Sequence, residues 1–340
     1  MRFFFPKCVA ERRTTKNKIM KTTTQKKGRP FSLSSLAIPA SFMLVLIIWS
    51  TTPLAIKWSS MSAPMTSALL RMLVGVTLCG SIVIFISSKL GMKFGTKART
   101  KFRVDNEARK VYLVGGLSIF VCMSLFYAAA QLIPSGWIAV LFGLSPLATG
   151  LFSAIVEPET KLTRSRIFGL LLGLSGLYLV FSAGLNVADA SIEGVVLTLI
   201  AVLISSATSV VTRQLVKDLV LPGMHITTGS LMVAIPFFII AVLLLEPELK
   251  LDFTAKAWNA IFYLGIIGTG VGFTLYYYLL KHVTANRIAL ITLVTPITAL
   301  SVGSWLNDEP LVPEVWMGAS LVCIGLLLYE FTPKLGLRKL

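Results

Sequence analysis

Charge is scarce in this chain. Asp, Glu, Lys and Arg make up 14% of its 340 residues, whereas soluble domains carry roughly 25%. Apolar residues make up 55%, and the mean hydropathy is +0.80. So low a charge content argues against an ordinary soluble domain and is typical of a protein whose solvent is lipid.

Cysteine is also sparse, and its spacing suggests no chemistry. The four cysteines are scattered, without C-x-x-C or zinc spacing, so the sequence predicts neither a disulfide framework nor a metal site. It contains no Walker A, H-E-x-x-H, G-x-S-x-G or paired-carboxylate motif. We therefore expect no cofactor, no enzymatic activity and no ATPase subunit, since an ATP-driven pump would need a separate motor chain.

Basic residues outnumber acidic ones by 32 to 15, but their placement argues against nucleic-acid binding. Ten lie in residues 1–29 and eight in 89–110, beside apolar runs, as cytoplasmic charges do. A nucleic-acid-binding protein would spread them over a folded surface. We expect residues 1–35 to be a basic, disordered, cytoplasmic tail in which Met1 and Met20 are both candidate starts.

Ten apolar runs of about 20 residues follow the tail, each long enough to cross a ~30 Å hydrocarbon core. They predict an all-α membrane protein with ten transmembrane helices. With the N-terminus inside, the inner segments, tails included, hold 28 Lys/Arg and the outer loops hold two. This asymmetry favours two cytoplasmic termini, with the basic residues 332–340 inside. The runs are 37–57, 64–87, 111–131, 137–156, 166–183, 192–212, 223–245, 257–280, 284–305 and 314–331.

One stretch of the chain occurs twice. Residues 127–159 recur without a gap as residues 277–309, and each copy carries a tyrosine, a mid-helix proline and a terminal glutamate in register. Residues 36–183 and 191–331 are therefore predicted to be two five-helix repeats. Because five is odd, the second repeat is inverted in the membrane. Inverted repeats are a recurring signature of secondary transporters, and the alternative is a static helical bundle.

A set of residues spaced along both halves is typical of one transporter family. These residues are Trp49-Ser50-Thr51-Thr52-Pro53, Lys57, Arg71, Tyr127, Gln131, Pro134-Ser135, Pro146, Glu159, Gly169, Gly176, Tyr277, Pro296, Glu309, Gly318 and Gly325. With them, the chain resembles the drug/metabolite transporter (DMT) superfamily in its ten-helix EamA branch. That resemblance implies export or exchange of small metabolites by a monomer or homodimer in a bacterial inner membrane. It also implies a central cavity lined mainly by spans 1, 3, 4, 6, 8 and 9. The glycines among the matching residues predict close helix packing.

Arg71 is the most deeply placed charge. It lies seven residues into span 2, about 10 Å along the helix at 1.5 Å per residue. An arginine at the membrane centre costs about 2.5–3.5 kcal/mol, so it should face protein or water. Arg71 is a candidate to bind a substrate carboxylate or phosphate through its planar fork. The alternatives are that it snorkels to the headgroups or braces a neighbouring helix.

Three more residues are candidate pathway positions. Trp49 falls in the middle of its span, away from the interfaces where most membrane aromatics lie, so it is a candidate cavity residue. Thr292 and Thr295 precede Pro296, which frees a backbone carbonyl near mid-membrane for a substrate. A plain structural kink at that proline is an equal alternative.

The repeated residues suggest moving parts. Pro146 and Pro296 are both placed near mid-membrane and are predicted hinges. Tyr127 and Tyr277 are further candidate pathway residues. They are placed near opposite faces, so we predict that the two copies form opposite gates around one cavity.

Acidic residues are confined to the tail, the loops and the helix ends. Proton-coupled pumps usually keep a carboxylate in the bundle, so we expect uncoupled export or substrate exchange, and the alternative is coupling through a different group. Glu159 and Glu309 precede the last span of each half, where a carboxylate stabilises a helix N-terminus.

The sequence therefore predicts a secondary transporter that exports small organic metabolites, such as amino acids, by alternating access. Its expected partners are the small-molecule substrate and the lipid bilayer. Alternative cargoes are nucleobases, sugars, phosphorylated metabolites and drugs. A membrane-embedded enzyme is a further alternative, which would need clustered carboxylates or histidines near one membrane surface.

Overall fold

The fold is known from a computed structural model. The predicted C-terminal segment 332–340, Glu159 and nearly all of the predicted tail 1–35 lie outside the residues that it describes, as does the side chain of Tyr277. The described residues are 33–87, 102–156, 164–184, 191–216, 219, 221–248, 252–282, 285–309 and 312–331.

Throughout these residues the regular secondary structure is helical, with twelve α-helices and one π-helix. Asp105 caps α3, because its carboxylate accepts a hydrogen bond from Ala108 N at 3.0 Å. That bond, with the Arg103 guanidinium beside it, holds the pKa of Asp105 below its usual range. The elements are α1 (Leu33–Ser60), α2 (Pro64–Ser87), α3 (Asn106–Leu132), α4 (Ser135–Phe142), α5 (Ser145–Val156), α6 (Arg164–Gly184), α7 (Ile192–Val216), α8 (Gly223–Leu245), α9 (Ala255–Tyr263), π1 (Leu264–Val271), α10 (Gly272–His282), α11 (Ala285–Asn307) and α12 (Pro313–Phe331).

Seven helical stretches in the described chain are long and apolar enough to cross a membrane. They coincide with the first four predicted runs and with the sixth, seventh and eighth. The other three predicted runs are also helical, as α6, α11 and α12, and α12 contains a shorter apolar stretch, Pro313–Tyr329. The predicted ends of the unbroken helices agree with the structure to within five residues, because apolar runs mark spans well.

Two predicted spans depart from a regular α-helix. The span over 137–156 is divided at Gly143 and Leu144 into α4 and α5. Gly143 N donates to two carbonyls in α4, at 3.0 and 3.1 Å, which tightens the last turn. Pro146 lies in the first turn of α5, where a missing N–H costs little, so its predicted position in the middle of a helix was wrong. The span over 257–280 is helical without a gap but contains π1.

The two halves of the chain pack mainly against each other. α1 packs against α11 and the α9–π1–α10 stretch, while α2 packs against α8 and π1. α3 packs against α7 and α8, α4 packs against α11, and α5 packs against α7. The main hydrophobic core accordingly mixes side chains of both halves, such as Trp137 and Phe238. Side chains that are buried in one half therefore pack mainly against side chains of the other half.

α6 and α12 meet along a glycine seam, as the glycine pattern predicts. A Cβ built at Gly169 would lie 2.5 Å from the carbonyl oxygen of Gly325. One built at Gly176 would lie 2.6 Å from the carbonyl oxygen of Gly318. Real Cβ contacts are longer, so the two backbones approach this closely only because the side chains are absent.

Candidate functional site

Arg71 is buried within the helical bundle. Its side chain belongs to a residue only 2% exposed, so it does not snorkel to a membrane surface. Its Nε donates a hydrogen bond to Thr269 Oγ1 at 2.9 Å, which joins α2 to π1. Its Nη1 is also buried and has no hydrogen-bond partner among the described residues. The guanidinium thus braces a neighbouring helix through Nε, and its Nη1 donor has no acceptor among the described residues.

The π-helix π1 brings Thr269 to Arg71, and the sequence analysis missed it. Its sequence, Leu-Gly-Ile-Ile-Gly-Thr-Gly-Val, contains three glycines in eight residues, which was the available signal. A Cβ at Gly265 would lie 2.6 Å from Val74 Cβ, and one at Gly270 would lie 2.6 Å from Leu78 Cδ2. The glycines therefore let π1 lie directly against α2. π-helical turns inside α-helices are rare and occur frequently at functional sites.

Trp49 is half-buried in an aromatic cluster. Its ring lies 5.1 Å from that of Tyr276 on α10, and 6.2 Å from that of Phe142 in an edge-on arrangement. Phe142, which ends α4, also lies 5.8 Å from Phe126 on α3. The cluster thus joins α1, α3, α4 and α10 beside the break at Gly143. Edge-on aromatic pairs contribute about 0.5–1.5 kcal/mol each beyond their buried area.

Tyr127 is fully buried near the end of α3. Its hydroxyl has no hydrogen-bond partner in the described part of the chain, and the same holds for the indole N–H of the buried Trp137. Each such unsatisfied group costs about 1–3 kcal/mol. A hydrogen bond to a ligand, or one formed in another conformation, would remove that cost. The side chain of Tyr277, its counterpart on α10, lies outside the described residues.

The residues before Pro296 are buried within a continuous helix. Thr292 is 8% exposed and Thr295 is 5% exposed, and the Thr295 hydroxyl donates to the Ile291 carbonyl at 2.6 Å. A hydroxyl bonded to the preceding turn in this way favours a bend in the helix. Pro296 also faces the break in α4–α5, because a Cβ at Gly143 would lie 3.0 Å from Pro296 Cγ. The two predicted hinge regions therefore touch each other.

Glu309 is a buried carboxylate that joins three helices. It accepts hydrogen bonds from Ser135 Oγ at 2.9 Å and Gly136 N at 3.2 Å, both in the first turn of α4. Lys57 Nζ of α1 lies 3.6 Å from it, and Asn307 Nδ2 donates to it at 3.2 Å. We expected Glu309 to stabilise the helix that follows it, but it accepts hydrogen bonds from the N-terminus of α4 and from Asn307 at the end of α11. The partner was not predictable from a sequence position 174 residues away.

Further polar contacts close this end of the bundle, which we call the Lys57 end. It comprises the ends of α1, α3, α8 and α11 and the starts of α2, α4 and α9. Lys256 Nζ also lies 4.1 Å above the ring of Trp58. The hydrogen bonds run from Trp58 Nε1 to Asn307 Oδ1 at 2.7 Å, from Gln131 Nε2 to Ser60 O at 2.8 Å, from Met65 N to Glu246 Oε1 at 2.8 Å and from Thr66 N to Glu246 Oε2 at 2.9 Å.

A cavity of about 150 Å³ lies between α2, α8, π1 and α10. None of the residues predicted to bind substrate lines it. Within the described residues, no group of three or more His, Cys, Asp or Glu side chains converges to hold a metal ion. The cavity is lined by Leu78, Cys79, Ile82, Met224, Gly270, Val271, Thr274 and Leu275.

The chain is similar to transporters from bacteria and archaea. It is 24% identical over 292 residues to "Uncharacterized transporter YoaV" of Bacillus subtilis, covering 85% of this chain and 94% of the relative. It is 25% identical over 287 residues to an "Uncharacterized transporter" of Archaeoglobus fulgidus, covering 83% and 95%. It is 25% identical to the "Probable amino-acid metabolite efflux pump" of Salmonella typhimurium, covering 61% of this chain and 71% of the relative.

Fold and family comparisons agree with these relatives. A solved crystal structure that is 20% identical superposes with a TM-score of 0.62, over 88% of this chain and 98% of its own. The family model described as "EamA-like transporter family" matches twice, at residues 38–182 and 192–331. Together with the apolar helices, these matches identify a multi-pass integral membrane protein. The chain belongs to the EamA-like transporter family.

Proposed function

We propose that this protein is a secondary transporter that exports small organic metabolites by alternating access. In this proposal its ten spans form two inverted five-helix repeats, residues 36–183 and 191–331. It works in a bacterial cytoplasmic membrane as a monomer or homodimer, with both termini inside. The packing of the helices against one another supports this assignment.

The helix contacts are those that a pseudo-two-fold axis would produce. Exchanging the halves replaces α1 by α7, α2 by α8, α3 by α9–π1–α10, α4–α5 by α11 and α6 by α12. The contacts of α1 with α11 and with α9–π1–α10 then become those of α7 with α5 and with α3, and both pairs occur. The α2–α8, α4–α11 and α6–α12 contacts map onto themselves, and all three occur. A static bundle would have no need of this symmetry between the two halves, whereas alternating access uses it. This observation carries the proposal.

The Lys57 end is the extracytoplasmic end in this proposal, because the loops there are poor in Lys and Arg. Its polar contacts close it, so the structure corresponds to a state shut towards the outside. Export then requires these contacts to break while others form at the opposite end. Tyr127 and Tyr277 are the proposed gate residues, and the touching Pro296 and Pro146 regions are the proposed hinges.

Amino acids are the first substrate class to test. Relatives from Salmonella typhimurium and Escherichia coli are named as probable amino-acid metabolite efflux pumps. The proposed pathway contains a guanidinium, aromatic rings and hydroxyls, which suit a small zwitterion or carboxylate. Its residues are Trp49, Arg71, Tyr127, Tyr277, Thr292 and Thr295.

Efflux of a metabolite panel tests this function. Cells expressing the chain are loaded with radiolabelled amino acids, nucleobases, sugars and organic acids, and retention is followed against cells with an empty vector. We expect faster loss of at least one amino acid. Faster loss of another class alone would replace the substrate assignment. Equal retention across the panel, with the protein shown to be in the membrane, would contradict export.

A further inference from the structure

We propose that Arg71, Thr269 and the space beside Gly268 form the subsite that receives the carboxylate of the substrate. This subsite rests on the proposed function, and it narrows the cargo to compounds that carry a single carboxylate. It lies where α1, α2 and π1 meet.

Arg71 has no counter-ion among the residues that the structure describes. It is 2% exposed, and the hydrogen-bond partner that it has there, Thr269, is neutral. No carboxylate lies within ion-pair distance of it in the described part of the chain. A buried charge is strongly unfavourable unless it is paired. An anion at this position would remove that penalty, so the site prefers an occupied state.

Arg71 and Thr269 also have hydrogen-bond donors to offer a ligand. Nη1 of Arg71 is buried without an acceptor. Thr269 Oγ1 accepts from Arg71 Nε at 2.9 Å, which leaves its own hydroxyl hydrogen to point elsewhere. The Thr52 hydroxyl, by contrast, donates its hydrogen to the Ile48 carbonyl at 2.6 Å. Guanidinium and hydroxyl donors on one side of a site match the oxygens of a carboxylate.

There is a small space beside the guanidinium. A Cβ built at Gly268 would lie 3.6 Å from Arg71 Nη2, 3.6 Å from Leu264 Cδ2 and 3.9 Å from Thr52 Oγ1, all ordinary contact distances. The neighbouring glycines Gly265 and Gly270 have no such room, because α2 side chains lie within 2.6 Å of where their Cβ atoms would be. Gly268 therefore leaves a notch of about one methyl group beside Nη2, where a carboxylate oxygen can approach the guanidinium.

The charge of the site favours a carboxylate over a phosphate. Lys57 is 3.6 Å from Glu309, so its charge is already balanced. Arg71 thus contributes one uncompensated positive charge, which matches a carboxylate, whereas phosphate monoesters carry about 1.5 to 2 negative charges at neutral pH. A second cation would be needed to hold a phosphate equally well.

Carboxylate–carboxamide pairs test this subsite on the purified full-length protein. L-alanine and L-alaninamide, L-leucine and L-leucinamide, and L-phenylalanine and L-phenylalaninamide are compared by the shift that each causes in melting temperature. The same compounds are then tested for efflux from proteoliposomes. We expect at least one acid to raise the melting temperature and to be carried, and its amide to do neither.

Three variants separate binding from folding. Arg71→Lys keeps the charge but loses the fork and the Thr269 contact, so the apparent affinity should fall by about tenfold or more. Arg71→Met removes an unpaired buried charge, so it should abolish binding without lowering the melting temperature of the free protein. Gly268→Ala fills the notch and should weaken binding in a protein that remains folded. Gly80→Ala is the matched control on α2, since its Cβ would meet only Thr228 Cγ2 at 3.9 Å.

Each outcome decides between the two proposals. If an acid is carried equally well by wild type, Arg71→Lys and Gly268→Ala, the subsite is wrong while the exporter stands. If acids raise the melting temperature through Arg71 but none is carried, the subsite stands and the exporter is contradicted. If acid and amide are bound equally, or no acid is bound at all, the carboxylate assignment is overturned.

Discussion

Lys57 Nζ lies 3.6 Å from Glu309 Oε1, so one ion pair ties the end of α1 to the loop that follows α11. The lysine side chain is 29% exposed and the glutamate side chain is 6% exposed, which places the pair at the rim of the bundle rather than in its centre. Glu309 also holds the first turn of α4 through Ser135. A single carboxylate thus connects three helices at the Lys57 end.

Replacing Glu309 should loosen that end. Glu309→Ala leaves the Ser135 hydroxyl and the Gly136 N–H without their acceptor, so we expect a loss of about 1–3 kcal/mol in the free energy of unfolding. Glu309→Gln keeps an acceptor oxygen and should lose less. Thermal unfolding of the purified protein measures both changes. Equal stability of wild type and Glu309→Ala would show that the contact contributes nothing.

The ion pair should also control access to the bundle from the Lys57 end. Leu54 is 3% exposed and lies one turn before Lys57 on α1, so Leu54→Cys reports on opening when the natural cysteines are replaced. We expect Lys57→Met to speed its labelling by a membrane-impermeant maleimide, about tenfold if the pair contributes ~1.4 kcal/mol to closure. Lys110→Met is the control, because its exposed pair with Glu107 belongs to the opposite end of α3. Labelling that responds alike to both substitutions would contradict a role in closure.

The glycine seam should be intolerant of small substitutions. A Cβ at Gly176 would lie 2.6 Å from the Gly318 carbonyl oxygen, so Gly176→Ala must separate α6 from α12. We expect a destabilisation of about 1–3 kcal/mol, measured by thermal unfolding. Ser175→Ala, at the neighbouring exposed position, should leave the melting temperature unchanged. A Gly176→Ala protein as stable as wild type would mean that the helices separate without cost.

Pro296 should matter for turnover more than for folding. Pro296→Ala restores an N–H inside α11, so the helix should become stiffer and the melting temperature should rise. The efflux rate should fall if this region bends during the cycle. Pro236→Ala offers a matched control, because Pro236 is also a proline inside a helix, α8. A similar loss of efflux in both variants would indicate a general effect of proline rather than a hinge at Pro296.

The limits of sequence reasoning are visible at particular residues. The ends of α2 and α8 were predicted to the residue, because an apolar run bounded by Pro64 or Pro222 defines a span locally. The depth of Arg71 in span 2 left both burial and snorkelling open, and only its 2% exposure in the structure decides for burial. Its partner Thr269 could not be predicted, because π1 changes the rotation of span 8, and the three glycines of π1 do not by themselves specify a π-helical register.

The number of apolar runs, their bounds, the duplication and the bias of Lys and Arg are all local or additive properties of the chain, and the sequence alone was sufficient to read them. Tertiary structure decided three contacts: that of Glu309 with the N-terminus of α4, that of Pro296 with Gly143 and that of Arg71 with Thr269. The physical reason is that such contacts depend on the rotation and depth of each helix against its neighbours. Those quantities are set by packing across the two halves, where glycines and breaks bring backbones together, and not by the composition of any one helix.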